Sequence, residues 1–244
     1  EAHCIFPRVR RRPPPHFIEP GGPLFFPNPE DYDDEGLVAV GGDLSTERLL
    51  LAYDSGIFPW YDEGMPPLWW SPNPRAVLDI HDLHVSRSMV RVMRQGFRLT
   101  WNQAFEAVMH ACADRDEGTW ILPEMVVAYT ELHRRGHAHS VEIWQGAELV
   151  GGLYGVQRGA LFAAESMFHR VSNTSKLALI VAVRAVFSRG VRLFETQLLT
   201  PHLASLGARA IPRHAYLAEL ARARARFADL HGIQPYEFMF EIQS

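Results

Sequence analysis

The spacing of apolar residues along the chain changes twice, and each change marks a different kind of expected structure. Between residues 76 and 136 apolar positions recur with helical spacing. The three helices predicted there begin at Ser86, Asn102 and Pro123. From His139 the period becomes two, which predicts three strands joined by tight turns. The predicted strands cover residues 139–144, 149–157 and 160–168.

The next segment predicts a buried helix between two strands. Leu177–Phe187 is apolar on most sides and is followed by Gly190, a typical residue just past a helix end. Val191–Gln197 predicts a further strand, as Ala76–Ile80 does earlier, and Tyr216–Leu230 an arginine-rich helix. The order of helices, antiparallel meander, buried helix and strand predicts an α+β domain.

The first third of the chain has a different composition. Residues 1–23 are rich in arginine, proline and glycine and are expected to form an extended, possibly mobile arm. Residues 24–75 are aromatic and rich in turn residues, with one predicted helix that ends at Gly56. We therefore expect an arm (1–23), a small N-terminal domain (24–75) and a larger domain (76–244).

Composition limits the function classes. No apolar run approaches the roughly 20 residues needed to cross a bilayer. Cys4 and Cys112 are the only cysteines, so no disulfide framework is expected, and a cytoplasmic location is the natural one. The histidines, including His137 and His139, have no partners at metal-ligand spacing, so we expect no metal. Nucleotide-binding glycine motifs are also missing, and no cofactor is expected.

Two carboxylates lie where strands usually carry apolar residues. Glu165 lies inside the third strand of the meander, and Glu195 lies near the end of strand 191–197. Glu195 and Gln197 are two residues apart and are therefore expected on one face of that strand. A buried carboxylate is costly unless it is paired or hydrated. Each acid could simply meet a positive charge or a helix N-terminus, or the two could form a polar cleft with apolar walls.

One stripe of arginines is a candidate RNA-binding surface. These residues recur every three or four positions, so they would share one face if the helix from Ser86 continues: Arg87, Arg91, Arg94 and Arg98. The net charge of −4 argues against general polyanion binding but leaves room for such a local stripe.

Several short motifs, in order, resemble those of the leucyl/phenylalanyl-tRNA–protein transferase family. The N-terminal ones are GLVAVGGDLS (36–45), GIFPWY (56–61) and LWWSP (68–72). The later ones are GTWI (118–121), HAHSVE (137–142), LVGGLYG (149–155), ESMF (165–168) and HLASLG (202–207). The resemblance covers about residues 24–217.

The resemblance implies a small N-terminal domain and a C-terminal acyltransferase (GNAT-like) domain with a mixed, largely antiparallel sheet flanked by helices. It also implies the reaction: transfer of Leu or Phe, less readily Met, from aminoacyl-tRNA to the α-amine of proteins that begin with Arg or Lys. That addition marks proteins for degradation by the N-degron pathway. The resemblance suggests a monomer, and no membrane partner is expected.

Roles for individual residues follow from the same resemblance. Glu195 would orient Gln197 and help remove the amine proton, while Gln197 would contact the reacting amine or carbonyl. Glu165 would bind the aminoacyl-adenosine end. The aromatic residues of the cleft would be Trp120, stacked on adenine, with Trp60 and Tyr129 in the wall. The pocket for the donor side chain would be lined by Leu153, Phe162, Met167, Leu179 and Phe194.

The sequence departs from the family pattern at three positions. Glu195 stands where the pattern has Asp, Ala164 where it has Gly, and His169 where a small polar residue is commoner. Three alternatives stay open: an acetyltransferase using acetyl-CoA, a transferase that adds amino acids to cell-wall peptides, and a non-catalytic tRNA-binding module. Residues 169–176 contain no glycine for a pyrophosphate turn, which disfavours acetyl-CoA.

Overall fold

Two sheets organise the protein. The structure, a computed structural model, describes residues 12–114 and 118–235. A four-stranded sheet has the order β1-β2-β4-β3, and a seven-stranded sheet has the order β11-β5-β10-β9-β8-β7-β6.

The four-stranded sheet is built from the N-terminal segment. Its strands are β1 (His16–Ile18), β2 (Leu37–Gly41), β3 (Phe58–Pro59) and β4 (Leu68–Trp70). β1 pairs with β2 in parallel, and the buried guanidinium of Arg48 donates to the carbonyls of Gly22 and Pro23. The end of the expected arm is thus attached to the sheet. Residues 1–11, with Cys4, lie outside the described residues.

The seven-stranded sheet carries the larger domain. Its strands are β5 (Arg75–Val77), β6 (Arg98–Trp101), β7 (Ala138–Gln145), β8 (Glu148–Arg158), β9 (Leu161–His169), β10 (Leu193–Gln197) and β11 (Arg209–Ile211). β9 and β10 are its parallel pair, and its other neighbours are antiparallel. The predicted meander is confirmed as β7, β8 and β9. Strands β6 and β11 were not predicted, since three or four residues carry too little alternation to be recognised.

The helices cover or border these sheets. They are α1 (Thr46–Asp54), α2 (Arg87–Met93), α3 (Phe105–Ala113), α4 (Pro123–Arg134), α5 (Thr174–Ser188), α6 (Pro201–Ala204) and α7 (Arg213–Arg224). α5 has eleven buried residues and packs on β8 and β9, as its apolar sequence predicts. α2 begins as expected, with Ser86 accepting a hydrogen bond from the amide of Met89, whereas Asn102 does not cap α3. The side chain of Asn102 instead forms hydrogen bonds with His139 and with the backbone amide of Ser140.

The fold class expected from the sequence is confirmed: a small N-terminal unit and a mixed, largely antiparallel sheet flanked by helices. α5 is the most apolar long helix, with fifteen residues. Within residues 12–114 and 118–235, no helix has both the length and the apolar character to cross a bilayer.

Candidate functional site: a cleft where two parallel strands separate

The centre of the large sheet opens where β9 and β10 part. The two strands are in register through the pair Glu195 and Ala163, after which β9 continues six residues to His169. The pairing of β10 with β5 shifts between Glu195 and Gln197, so that Thr196 is an extra residue and Gln197 has a φ of 55°. Such a bulge breaks the alternation of side chains. The expectation that Glu195 and Gln197 lie on one face of a regular strand is therefore wrong.

A cleft of about 710 Å³ occupies the opening. Its floor and one wall come from the end of β9 and the residues around the end of β10, and its facing wall is aromatic. The residues that line the cleft include Trp60, Asp114, Trp120, Glu165, Ser166, Met167, His169, Arg170, Ser175, Thr196, Gln197 and His202. This volume lies in the range of small-molecule sites.

Glu195 lies behind the cleft rather than in it. Its side chain is fully buried, and its carboxylate accepts hydrogen bonds from Arg75 Nε at 2.7 Å and from the hydroxyl of Tyr216 at 2.8 Å. The Arg75–Glu195 ion pair has essentially no exposure on either side. The simpler expectation for this acid, pairing with a positive charge, is the one that the structure bears out. A buried ion pair is kept together because removing one partner leaves the other charge uncompensated.

Arg75 joins this carboxylate to the N-terminal unit. A second guanidinium nitrogen donates to the carbonyl of Gly56 at 2.8 Å, and the group stacks between the rings of Phe58 and Tyr216 at 5.0 and 4.4 Å from their centroids. Gly56 has a φ of 72°, and a Cβ there would lie 2.5 Å from Leu217. A side chain at this position would strain the backbone and would require Leu217 to shift.

Glu165 is the carboxylate that faces the reacting space. Its Oε1 accepts a hydrogen bond from Gln197 Nε2 at 3.1 Å, and both residues line the cleft. Behind it, Tyr53 hydrogen-bonds to Glu165, and the hydroxyls of Tyr53 and Tyr129 are 2.6 Å apart. Burial raises the pKa of both tyrosines well above 10 and keeps them neutral. Glu165 thus lies at the end of a buried chain of hydroxyl donors.

The surroundings of Glu165 favour its protonated form. Burial raises its pKa from the ordinary value of 4.5 to about 8, with the hydrogen bond from Tyr53 opposing that shift, the charge of Glu195 adding to it and Arg75 opposing it. A carboxyl group with a pKa near neutrality can take or give a proton at the pH of the cell.

The cleft includes three of the remaining expected residues. Trp60, Trp120 and Met167 line it. Tyr129 is fully buried and lies behind the cleft, in contact with Tyr53.

Four residues of the expected donor pocket lie elsewhere. These residues belong to the hydrophobic core beside α5: Leu153, Phe162, Leu179 and Phe194. Their exposure is at most 2%, and Phe162 and Phe194 stack on each other. We correct that part of the expected pocket, because strand alternation cannot show which face is covered by a helix and which by a cleft.

The arginine stripe is divided by the fold. α2 ends at Met93, and the chain turns at Gly96, which has a φ of 73°. Arg87, Arg91 and Arg94 stay with the helix, while Arg98 begins β6 and lies over the ring of Trp144 at 4.5 Å. All four are exposed, and none lines the cleft.

Other residues of the site had no clear signal in the sequence. Tyr53, Arg75 and Tyr216 are far apart along the chain and meet only through packing. An arginine at the start of a short strand, in a run of otherwise apolar residues, is the one hint for Arg75. In the described residues no group of three or more histidine, cysteine, aspartate or glutamate side chains is arranged to hold a metal.

Comparison with known families identifies the chain. Residues 77–221 match the model of the leucyl/phenylalanyl-tRNA protein transferase family, and residues 42–73 match the model of its N-terminal domain. The chain therefore belongs to the leucyl/phenylalanyl-tRNA–protein transferase family, a family of aminoacyltransferases.

Individual relatives agree along most of the chain. A leucyl/phenylalanyl-tRNA–protein transferase of Shigella sonnei is 54% identical over 205 residues, which are 82% of this chain and 88% of that protein. One from Anaeromyxobacter sp. strain K is 52% identical over 214 residues, 86% of this chain and 91% of the relative. One from Shewanella denitrificans is 48% identical over 207 residues, 84% and 89%.

A solved structure described as L-PGS from Bacillus licheniformis is similar at 13% identity with a TM-score of 0.36, covering 68% of this chain and 57% of that one.

Proposed function

We propose that the chain transfers Leu or Phe, and less readily Met, from aminoacyl-tRNA to the N-terminal α-amine of proteins that begin with Arg or Lys. The observation that carries the proposal is the Glu165–Gln197 pair in a cleft with an aromatic wall. A protein modified in this way would enter the N-degron pathway. The enzyme would act as a monomer in the cytoplasm, where aminoacyl-tRNA is made.

The charge of Asp114 supports a basic acceptor, because this residue lines the cleft and is exposed. Carboxylates and a basic side chain form charge-assisted hydrogen bonds, which are stronger than neutral ones. The indole of Trp120, partly buried in the aromatic wall, offers a stacking surface for the terminal adenine of the donor. Met167 is the expected pocket residue that remains for the donor side chain, and methionine adapts to several shapes.

Glu165 can accept the proton that the reaction releases. The α-amine has a pKa near 8 and must lose a proton before it attacks. Its nitrogen attacks the ester carbonyl, the new C–N bond forms, and the bond from that carbonyl to the ribose oxygen breaks. The proton lost before the attack goes to water, and the second proton, which the nitrogen loses as the C–N bond forms, passes to the Glu165 carboxylate and then to the departing ribose oxygen. Because Gln197 gives its Nε2 hydrogen to Glu165, its carbonyl oxygen is free to hold the attacking amine.

Glu195 has a different task in this proposal. Its two oxygens are taken by Arg75 and Tyr216, so it positions β10 at the bulge that presents Gln197. It acts through the backbone of β10 and does not touch the substrate. The longer side chain at this position, compared with the Asp of the family pattern, reaches Arg75 Nε at 2.7 Å.

The test is a transfer assay with radiolabelled Leu-tRNA and two peptides, one beginning with Arg and a matched one beginning with Asp. We expect label on the Arg peptide alone. No label on the Arg peptide would refute the activity, and label on both would refute the acceptor rule. Labelled acetyl-CoA with the same peptides serves as the control for an acetyltransferase.

A further inference from the structure

Basic side chains are gathered at one side of the cleft. His169 ends β9 there and Arg170 follows it, and both are exposed and line the cleft. Lys176 lies in the first turn of α5, and His202 lies on α6. Lys176 and His169 are close enough to His202 to lower its pKa, with burial as the larger cause. Three elements that are separate in sequence therefore bring basic side chains to one place.

The same side of the cleft holds polar atoms without a partner. Thr196 is 8% exposed, and its hydroxyl oxygen has no hydrogen-bond partner among the described residues. The Nε2 atom of His202 is likewise buried and without a partner there. A buried polar group left unpaired costs about 1–3 kcal/mol, so two such atoms in one cleft indicate a polar ligand.

The start of α5 adds to this character. Ser175 lies in its first turn and lines the cleft, and that turn contains no acidic residue. The amide groups of a helix N-terminus favour anions. Asp114 is the exposed acid of the cleft and lies at the end of α3, whereas the basic residues come from β9, α5 and α6.

We propose that this rim, formed by His169, Arg170, Lys176 and His202, binds the 5′-phosphate of the 3′-terminal nucleotide of the donor. The inference rests on the proposed function, because it takes an aminoacyl ester of RNA as the donor. Arg170 is the direct phosphate ligand, and the hydroxyl of Thr196 donates to an oxygen of the sugar. A basic acceptor would be repelled from this rim, so the donor enters beside α6 and the acceptor beside Asp114.

The contact chemistry suits a phosphate. A guanidinium can offer two parallel N–H donors to phosphate oxygens, and such contacts are the strong class of hydrogen bond. Arg170 is available for it: its recorded contacts are a 3.5 Å hydrogen bond to the carbonyl of Leu149 and a stacking distance of 5.9 Å to Phe168. Both leave most of its donors open to the cleft.

The experiment measures binding, so that it is independent of turnover. Two unreactive donor analogues are compared by calorimetry: adenosine carrying phenylalanine through a 3′-amide, and the same compound with a 5′-phosphate. The full chain is tested as wild type, as Arg170→Gln and as Lys176→Gln. Arg134→Gln, at an exposed arginine at the end of α4 and outside the cleft lining, is the matched control for loss of one charge.

We expect the phosphate to tighten binding to the wild type by about 10- to 100-fold, the size of a charge-assisted contact. Arg170→Gln should remove most of this advantage while the compound without phosphate binds as before. Lys176→Gln should reduce the advantage, and Arg134→Gln should keep it. Equal affinities of the two compounds for the wild type, an advantage that survives Arg170→Gln, or no binding of either compound would overturn the proposal. Absence of transfer from Leu-tRNA would instead refute the proposed function, which the binding measurement does not use.

Discussion

The two carboxylates beside the β10 bulge have opposite environments. Glu195 is fully buried and bonded to a guanidinium and a phenol, whereas Glu165 lines the cleft and is bonded to an amide and a tyrosine. The first carboxylate is held in a buried ion pair with Arg75. The surroundings of Glu165 favour its neutral form, because burial raises its pKa to about 8. In the proposed function, Glu195 therefore stabilises the structure of the site, whereas Glu165 takes part in the reaction.

The largest effect should come from removing the titrating group of the cleft. Glu165→Gln keeps the volume but cannot take the amine proton, so transfer to an Arg-starting peptide should fall by about 10²- to 10⁴-fold. The measurement is kcat/KM with Leu-tRNA, and the melting temperature checks folding. Glu106→Gln, at an exposed glutamate of α3 outside the cleft lining, serves as the control. A loss below tenfold for Glu165→Gln would assign the proton to another group.

Breaking the buried pair should instead act on stability. Arg75→Met leaves the charge of Glu195 without compensation, so the free energy of unfolding should fall by about 3–5 kcal/mol. Urea denaturation at pH 7 measures this.

The double variant Arg75→Met/Glu195→Gln is the matched control for that prediction. It should lose less than the sum of the two single variants, because it removes both charges together. Additive losses would mean that the two charges do not depend on each other.

Stability should also depend on pH through Glu165. The folded pKa of Glu165 is raised, so the native state holds a proton that the unfolded chain releases above about pH 4.5. The stabilisation that Glu165 contributes is therefore fully present below about pH 4.5 and is lost as the pH rises through about 8. Glu165→Gln should flatten this part of the profile, by at most about 5 kcal/mol at 1.36 kcal/mol per pKa unit, and by less because water reaches the cleft. Urea midpoints of both proteins at pH 5 and pH 8 provide the comparison; parallel profiles would contradict the raised pKa.

The smallest effect should occur at Thr196, the bulge residue that follows Glu195 in β10. Thr196→Val keeps the shape and removes a buried hydroxyl without a partner, so the free energy of unfolding should stay equal or rise by about 1 kcal/mol. Transfer should still fall by about threefold to tenfold, mainly through the KM for the donor, if the hydroxyl binds it. Thr196→Ser, which keeps the hydroxyl, should behave as the wild type. A drop in stability for the valine variant would mean that the hydroxyl has a partner in the free protein.

The sequence was sufficient for the long strands and helices of the larger domain, but not for short strands such as β6 and β11. It offered a polar cleft as one of two interpretations of Glu165 and Glu195. Period-two alternation located β7, β8 and β9, and the apolar run located α5. The division of labour between Glu165 and Glu195 was not predictable. It depends on one extra residue in β10, and a bulge is set by how strands meet rather than by local preference.

Long-range partners escaped prediction for a related reason. Arg75 and Glu195 are 120 positions apart, and no local pattern links them. Apolar residues such as Leu153 and Phe162 were expected in the cleft, yet any strand in the middle of a layered fold has two apolar faces. Only the position of α5 shows which of the two faces is covered by a helix and which one borders the cleft.

Arg213, at the start of α7, joins this helix to the N-terminal unit. It is 4% exposed and donates to the carbonyls of Tyr32, Asp33 and Ser71, and its backbone amide donates to the side chain of Asn73. Cutting the chain between the two sheets, near residue 74, would leave those acceptors on one fragment and their donor on the other. The fragment with the cleft would also carry Arg75 without the carbonyl of Gly56. The larger domain is therefore not expected to fold correctly when it is separated from the N-terminal unit. A split version of the protein should instead be cut at an exposed turn within one sheet, such as Gln145-Gly146.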